Sequence, residues 1–246
     1  MARLFTGTSG YSYSEWKGSF YPEDLAQKGF LEYYASQLPT VEVNNTYYRF
    51  PKAEMLEGWR DTVPDAFTFA VKANIRITHR QRLKDVDQVT HDFVERVRVL
   101  GDRLGPILFQ LPPYLRRDDD RLARFLEILP DGGRYTIEFR HASWFEPEVF
   151  ALLEGADVAL CNSEDDELET PRRATASFCY ARLRRDDYDE AARASWRDWC
   201  RERVDEGRDV FLYIKHDEGG TSPLPLLAAI EGRAVNDPEA DPESSE

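Results

Sequence analysis

The chain has 246 residues, with 46 acidic against 32 basic, for a formal net charge of −14. That balance argues against nucleic acid as a partner, because neutralising a phosphate backbone needs a basic surface. The length suits one (β/α)8 barrel of about 250 residues. No apolar run is long enough for a signal peptide or a bilayer span, so a cytoplasmic protein with no membrane partner is expected.

Only six of the basic residues are lysines. An acid-rich, lysine-poor chain suits work at high salt, where screening weakens self-repulsion, and equally suits a high-GC genome. The three cysteines, Cys161, Cys179 and Cys200, form no CxxC pair. Their odd number argues against a disulfide framework and for a reducing compartment.

In chain order, the pattern predicts a strand at 4–9, a Gly- and Tyr-rich loop, a helix at 30–38 and a second strand at 40–45. A helix at 54–62 precedes strand three at 67–73. The longest amphipathic stretch, 86–103, has Val86, Val89, Phe93, Val97 and Leu100 at helical spacing. Strand four at 107–111 is stopped by Pro112 and Pro113, and a helix at 119–129 leads to strand five at 135–139. A helix at 147–154 and strand six at 158–161 follow. The acidic run 164–169 is expected to be a solvated loop. Strand seven at 177–183, a helix at 189–206, strand eight at 210–214 and a helix at 224–231 complete the series. Strand–helix alternation predicts an α/β fold, a single (β/α)8 TIM-type barrel over 1–232, irregular around strands six and seven. The Asp-, Glu-, Pro- and Ser-rich stretch 233–246 is expected to be a disordered acidic tail.

Side chains alternate faces along a strand. Val41 and Val43 therefore oppose Glu42 and Asn44, while Phe67, Phe69 and Val71 oppose Lys72. Ile107, Phe109 and Leu111 oppose Gln110, and Ile137 and Phe139 oppose Glu138 and Arg140. In a barrel the apolar rows lie under helices, and the polar ends converge on the C-terminal mouth, where such folds hold their active sites. Asn162, Arg182, Lys215, His141 and His216 are placed at the same rim.

Burying charge costs several kcal/mol per ion unless it is paired. Two carboxylates against several cations leave a positive surplus, which predicts a site for a small anionic molecule held by Lys72, Arg140 and Arg182 and oriented by Asn44 and Gln110. Glu42 and Glu138, on different sides of the barrel, are the acid/base candidates, with Lys72 and His79 beside them. An internal pairing, Glu42 with Lys72 and Glu138 with an arginine, is the alternative. His79, His141 and His216 with the two glutamates could instead hold a divalent metal, but no HxH or HExxH spacing supports it, and no cofactor is assigned. Tyr11, Tyr13, Trp16, Tyr47, Tyr48 and Trp144 crowd this end. Tyr11, Trp16 and Trp144, with His141, are expected to line the substrate site, unless the rings pack the loops together. No motif bears on oligomeric state.

The stretches GTSGYSYSEWKGSFYP (7–22), FLEYYASQLPTVEVNNTYYRFP (30–51), FTFAVKANIRITH (67–79), LFQLPP (108–113) and EFRHASW (138–144) closely resemble the YecE-like family, domain of unknown function 72. The resemblance runs through most of residues 4–231 and implies a TIM barrel. It implies polar site positions at Glu42, Asn44, Lys72, Thr78, His79, Gln110, Glu138, Arg140 and His141, and supplies no activity. The second half departs from the family pattern. Arg182 is followed by Leu183 and Arg184 rather than His-Gly, strand eight ends in Lys215-His216-Asp217, and Asn162 stands where an aspartate is common. The expected function is therefore an enzyme acting by acid/base chemistry on a small phosphorylated, carboxylated or sugar-containing molecule. A non-catalytic metabolite-binding barrel and a metal-dependent hydrolase or lyase using Glu42, His79, Glu138 and His141 are the alternatives.

Overall fold

A computed structural model describes residues 1–165, 167–215 and 222–232. Eight parallel strands close into a barrel: β1 (Leu4–Ser9), β2 (Thr40–Val43), β3 (Thr68–Lys72), β4 (Leu104–Gln110), β5 (Tyr135–Glu138), β6 (Ala159–Glu164), β7 (Phe178–Leu183) and β8 (Asp209–Ile214). Closure is made where Leu4 to Thr8 of β1 run beside Val210 to Ile214 of β8. Around it lie α1 (Phe30–Gln37), α2 (Asn45–Tyr48), α3 (Ala53–Thr62), α4 (Asp87–Val97), α5 (Asp119–Glu127), α6 (Pro147–Gly155), α7 (Glu190–Asp205) and α8 (Leu224–Glu231). The 233–246 tail and His216 lie outside the described residues. Among those described, no helix is long and apolar enough to cross a membrane.

Two-residue alternation produces two separate cores. The outward rows, including Val41, Val43, Phe69, Val71, Ile107, Phe109 and Ile137, join the helices in one large cluster. The inward rows contribute Phe5, Ala70, Leu108, Ala159, Cys161, Phe178, Tyr180, Phe211 and Tyr213 to a second cluster that plugs the lumen. Polar strand ends are thereby held above an apolar floor.

Four predicted boundaries change for identifiable reasons. The 86–103 stretch is not one helix: α4 stops at Val97 and tighter turns run to Arg103, because Gly101 takes φ 58°, ψ −134°. β4 starts at Leu104, earlier than expected, with its register to β3 shifting between Phe69 and Val71. β2 ends at Val43, and Asn44 turns directly into α2, with the Tyr47 N–H donating to the Asn44 carbonyl. β6 runs three residues past Cys161, to Glu164.

That extension corrects the reading of the acidic run as solvated at its first residue only, since Glu167 and Glu169 are exposed as expected. Glu164 is buried, accepts from Trp196 Nε1 at 2.8 Å, and faces Arg185 and Arg172 at 3.5 and 3.8 Å. Asn162, expected at the mouth, lies on the outer face of β6. Its amide donates to the carbonyls of Leu160, Arg173 and Tyr180 and accepts from Arg173 N–H at 2.7 Å, fastening the 165–177 connection to the barrel.

Inside the lumen Gly7 pairs with Thr40, whose hydroxyl meets Tyr213 Oη at 2.8 Å. A Cβ at Gly7 would overlap the Thr40 carbonyl oxygen. Gly7→Ala must therefore move backbone rather than a rotamer, and is expected to cost at least about 1–3 kcal/mol in a urea unfolding curve. A loss under about 0.5 kcal/mol, the usual surface value, would show that β1 and β2 are not so closely apposed.

Candidate active site at the barrel mouth

Three strand ends build the centre. Glu42 comes from β2, Glu138 from β5 and Arg182 from β7; the carboxylates are 0% exposed and the guanidinium 2%. Arg182 donates through one terminal nitrogen to Glu42 Oε1 at 2.8 Å and through the other to Glu138 Oε2 at 2.6 Å. One guanidinium thus bridges both carboxylates, and it also donates to Gln110 Oε1 at 3.2 Å.

The remaining acceptor positions are taken as well. Ser9 Oγ (2.8 Å) and Asn44 Nδ2 (3.3 Å) donate to Glu42 Oε1, and Tyr180 Oη (2.6 Å) donates to Glu42 Oε2. Arg140 donates to Glu138 Oε1 at 2.9 Å, and its other nitrogen pairs with Asp165 at 2.8 Å. Cys161, inside the lumen rather than under the helices, lies with Sγ 4.0 Å from Glu138 Oε2. Burial pushes its thiol well up, and the charge of Glu138 adds to that.

The electrostatics follow from this enclosure. Burial alone would raise Glu42, but Arg182, the Tyr180 and Ser9 hydroxyls and Lys72 outweigh it and hold the carboxyl below its usual range. Burial likewise opposes ionisation of Glu138, yet Arg182, Arg140 and Arg184 bring it down to about 2. Burial works against the Arg182 charge, but Glu42 and Glu138 more than offset it, so its pKa rises further.

The internal-pairing alternative is therefore half met. Glu138 pairs with arginines, whereas Glu42 pairs with Arg182 and not with Lys72. Arg182, expected to hold a bound anion, has both terminal nitrogens committed to carboxylates, and its buried Nε has no hydrogen-bond partner.

Lys72, half-buried at the end of β3, makes no ion pair with a described residue; its Nζ sits 4.5 Å from the Tyr47 ring centroid. Desolvation and then the charge of Arg182 lower it to about 8. Arg184 was not singled out as a site residue, although its parity with Arg182 puts it on the same inner face of β7's continuation. Its backbone N–H donates to the Glu164 carbonyl, while its guanidinium makes no ion pair with a described residue. Burial, then the like charge of Arg182, lowers it.

His79 lies on a π-helical turn, Arg76–Arg80, with Nδ1 2.9 Å from Thr78 Oγ1 and its ring 5.1 Å from that of Tyr47. Burial, followed by the charge of Lys72, lowers its pKa. His141 instead caps the turn Ala142–Trp144, its Nδ1 accepting from Ser143 N–H at 3.1 Å. Among the described residues no three His, Cys, Asp or Glu side chains are grouped to hold a metal ion. The alternative metal set of Glu42, His79, Glu138 and His141 does not assemble, because arginine takes both carboxylates and His141 faces its own turn.

Two aromatic assignments are corrected. Trp16 is fully buried against Tyr13, Phe20 and Tyr21. Trp144 is equally buried, stacked on Phe139 at 4.7 Å, with Nε1 donating to the Leu115 carbonyl. Both are too large and apolar to stay at the surface once the loops fold over, so they pin the loops and offer no face to a substrate. Tyr11 is half-buried against Tyr34 at 6.2 Å, and burial raises its hydroxyl pKa. Tyr48, by contrast, is exposed, with its ring 4.9 Å from Tyr47.

Fold and site together define a TIM-barrel protein whose lumen is closed by a Glu–Arg–Glu bridge, near two cations that make no ion pair among the described residues. The chain belongs to the family described as Protein of unknown function DUF72, whose family model matches residues 5–243. It is 35% identical over 116 residues to UPF0759 protein YecE of Escherichia coli K12, covering 47% of this chain and 43% of that protein. It is 26% identical over 155 residues to UPF0759 protein YunF of Bacillus subtilis 168, covering 60% and 54%. The chain thus spans about half the length of the curated relatives it matches. A DUF72 family protein from Thermotoga maritima superposes with a TM-score of 0.76 at 23% identity, covering 93% of this chain and 98% of the other. One from Enterococcus faecalis gives 0.77 at 17% identity, covering 99% and 100%. At such identities these two likenesses establish the fold.

Proposed function

We propose that this barrel is an enzyme that binds a small anionic molecule, phosphorylated or carboxylated, at its mouth and acts on it by acid/base chemistry. The observation that supports the reading is that, among the described residues, Lys72 and Arg184 have no carboxylate partner although the glutamates beside them are saturated. An anion is the group that would complete them. In this reading Glu42 and Glu138 stay ionised and hold Arg182 in place, and the proton-carrying role expected of them passes to Lys72, whose lowered value sits nearer neutral pH. Gln110, accepting from Arg182 through its oxygen, keeps its amide N–H groups for the ligand.

Inorganic phosphate titrated calorimetrically into the full chain is expected to bind saturably. Arg184→Gln should weaken that binding by about tenfold to a hundredfold, the worth of one charged hydrogen bond. Absence of saturable binding, or an unchanged affinity in Arg184→Gln, would refute the reading. The closed Glu–Arg–Glu bridge also favours a second reading, a non-catalytic metabolite-binding barrel, because such a bridge needs no proton transfer. The two differ in whether a bound phosphate ester is returned intact after prolonged incubation.

A further inference from the structure

Lys72 differs from the other lysines of this chain. Lys17, Lys28, Lys52, Lys84 and Lys215 are all exposed, whereas Lys72 alone is half-buried. It stands at the C-terminal end of a barrel strand, pointing into the mouth, with no carboxylate of a described residue on its ammonium and the Tyr47 ring against it at 4.5 Å. We infer that Lys72 is an imine-forming nucleophile that takes the carbonyl carbon of a small oxo-acid, whose carboxylate is received by Arg184. The inference rests on the anion-binding reading and narrows it to anions carrying an aldehyde or ketone.

A lysine becomes a competent amine nucleophile when it is desolvated or set beside another cation, since either favours loss of its proton. Both conditions hold at Lys72. The groups around it are Arg182 and Arg184 from the β7 side, Glu138 from β5, Glu42 from β2, Tyr47 from α2 and His79 from the following turn. The two glutamates would ordinarily keep a lysine charged, but the Arg182 bridge is already between them. Desolvation and Arg182 outweigh them, and the amine titrates near 8.

The step balances within the pair. The lysine nitrogen forms the new C–N bond, the carbonyl oxygen leaves as water with two protons from the ammonium, and the iminium keeps the single positive charge. No oxidant or further reactant enters. That retained charge lies beside Glu42 and Glu138, and an electron-withdrawing iminium at this position would acidify the neighbouring carbon; in this narrower reading Lys72 forms the imine and does not itself carry the proton.

The test uses glyoxylate, the smallest anionic aldehyde, with cyanoborohydride on the full chain at neutral pH, followed by peptide mass mapping. The reduced adduct is expected on Lys72 at roughly tenfold or more over each exposed lysine, since a value near 8 against about 10.4 leaves far more free amine. Its rate should rise with pH and level off above about 8. Lys72→Arg keeps the charge and should lose that adduct, with an unchanged thermal melt reporting an intact fold. Labelling spread over the exposed lysines, with Lys72 at or below their level, overturns the inference. If phosphate still binds saturably in that case, the anion-binding reading survives; if phosphate also fails to bind, both fall.

Discussion

Replacing Arg182 by methionine is expected to lower unfolding free energy by roughly 3–5 kcal/mol, the usual cost of removing one partner from a buried ion pair. In a chain of this size that corresponds to a melting point lower by roughly 6–20 °C. The reason is specific to the geometry. One guanidinium neutralises two carboxylates that have no exposed surface, and only Glu138 keeps a second arginine. Changing Glu42 and Glu138 to glutamine together with Arg182→Met should recover much of the loss, because no unpaired buried charge is left behind.

The pH dependence has a definite sign. Both carboxyls have folded-state values below their unfolded value of about 4.3, Glu138 near 2. Their contribution is complete above about 4.3 and is lost as pH falls towards 2. In Arg182→Met the carboxyls would titrate higher, so the variant's deficit should shrink between pH 7 and pH 4. A urea midpoint unmoved at pH 7 would mean that the bridge does not hold in solution.

Lys72→Met should act in the opposite direction, raising stability at pH 7 by about 1–2 kcal/mol while abolishing the glyoxylate adduct. Lys72 titrates near 8 when folded and about 10.4 when unfolded, so the folded state penalises its charged form. That penalty is full below about 8 and vanishes as pH rises through about 10.4. A shift of this size is worth roughly 3 kcal/mol before allowance for partial solvation. The cation–π contact with Tyr47, about 0.5–2 kcal/mol, is forfeited in the variant. The stability gain should therefore be present at pH 7 and absent at pH 10.5. Destabilisation at pH 7 would show that Lys72 is held favourably, and would remove the physical basis for its reactivity. A group retained at a cost to stability is a common mark of a functional site.

Strand parity identified most of the inner face correctly. Glu42, Lys72, Gln110, Glu138, Arg140 and Arg182 all project to the barrel interior or its rim, as alternation requires. The same rule applied one step further along β7 would have found Arg184. Asn162, expected at the rim as the end of β6, lies within a longer strand, and the same alternation that turns Cys161 inward turns Asn162 outward to fasten the next connection. Trp16 and Trp144 were misplaced for another reason. Both are adjacent to the site in sequence, but loop residues carry no period from which burial can be read, and their indoles turned inward to join the core.

By itself, the amino-acid order determined the barrel, its family and the face each strand residue occupies, because a period of two is written locally in every strand. Which charges meet across the lumen was decided only by closure. β7 stands two strands from β5 and three from β2 in the closed ring, so Arg182 spans residues 140 and 44 positions away in the chain. Local periodicity carries no information about distance around a closed sheet. The pairing that saturates the glutamates, and leaves Lys72 and Arg184 without an ion pair among the described residues, exists only in three dimensions.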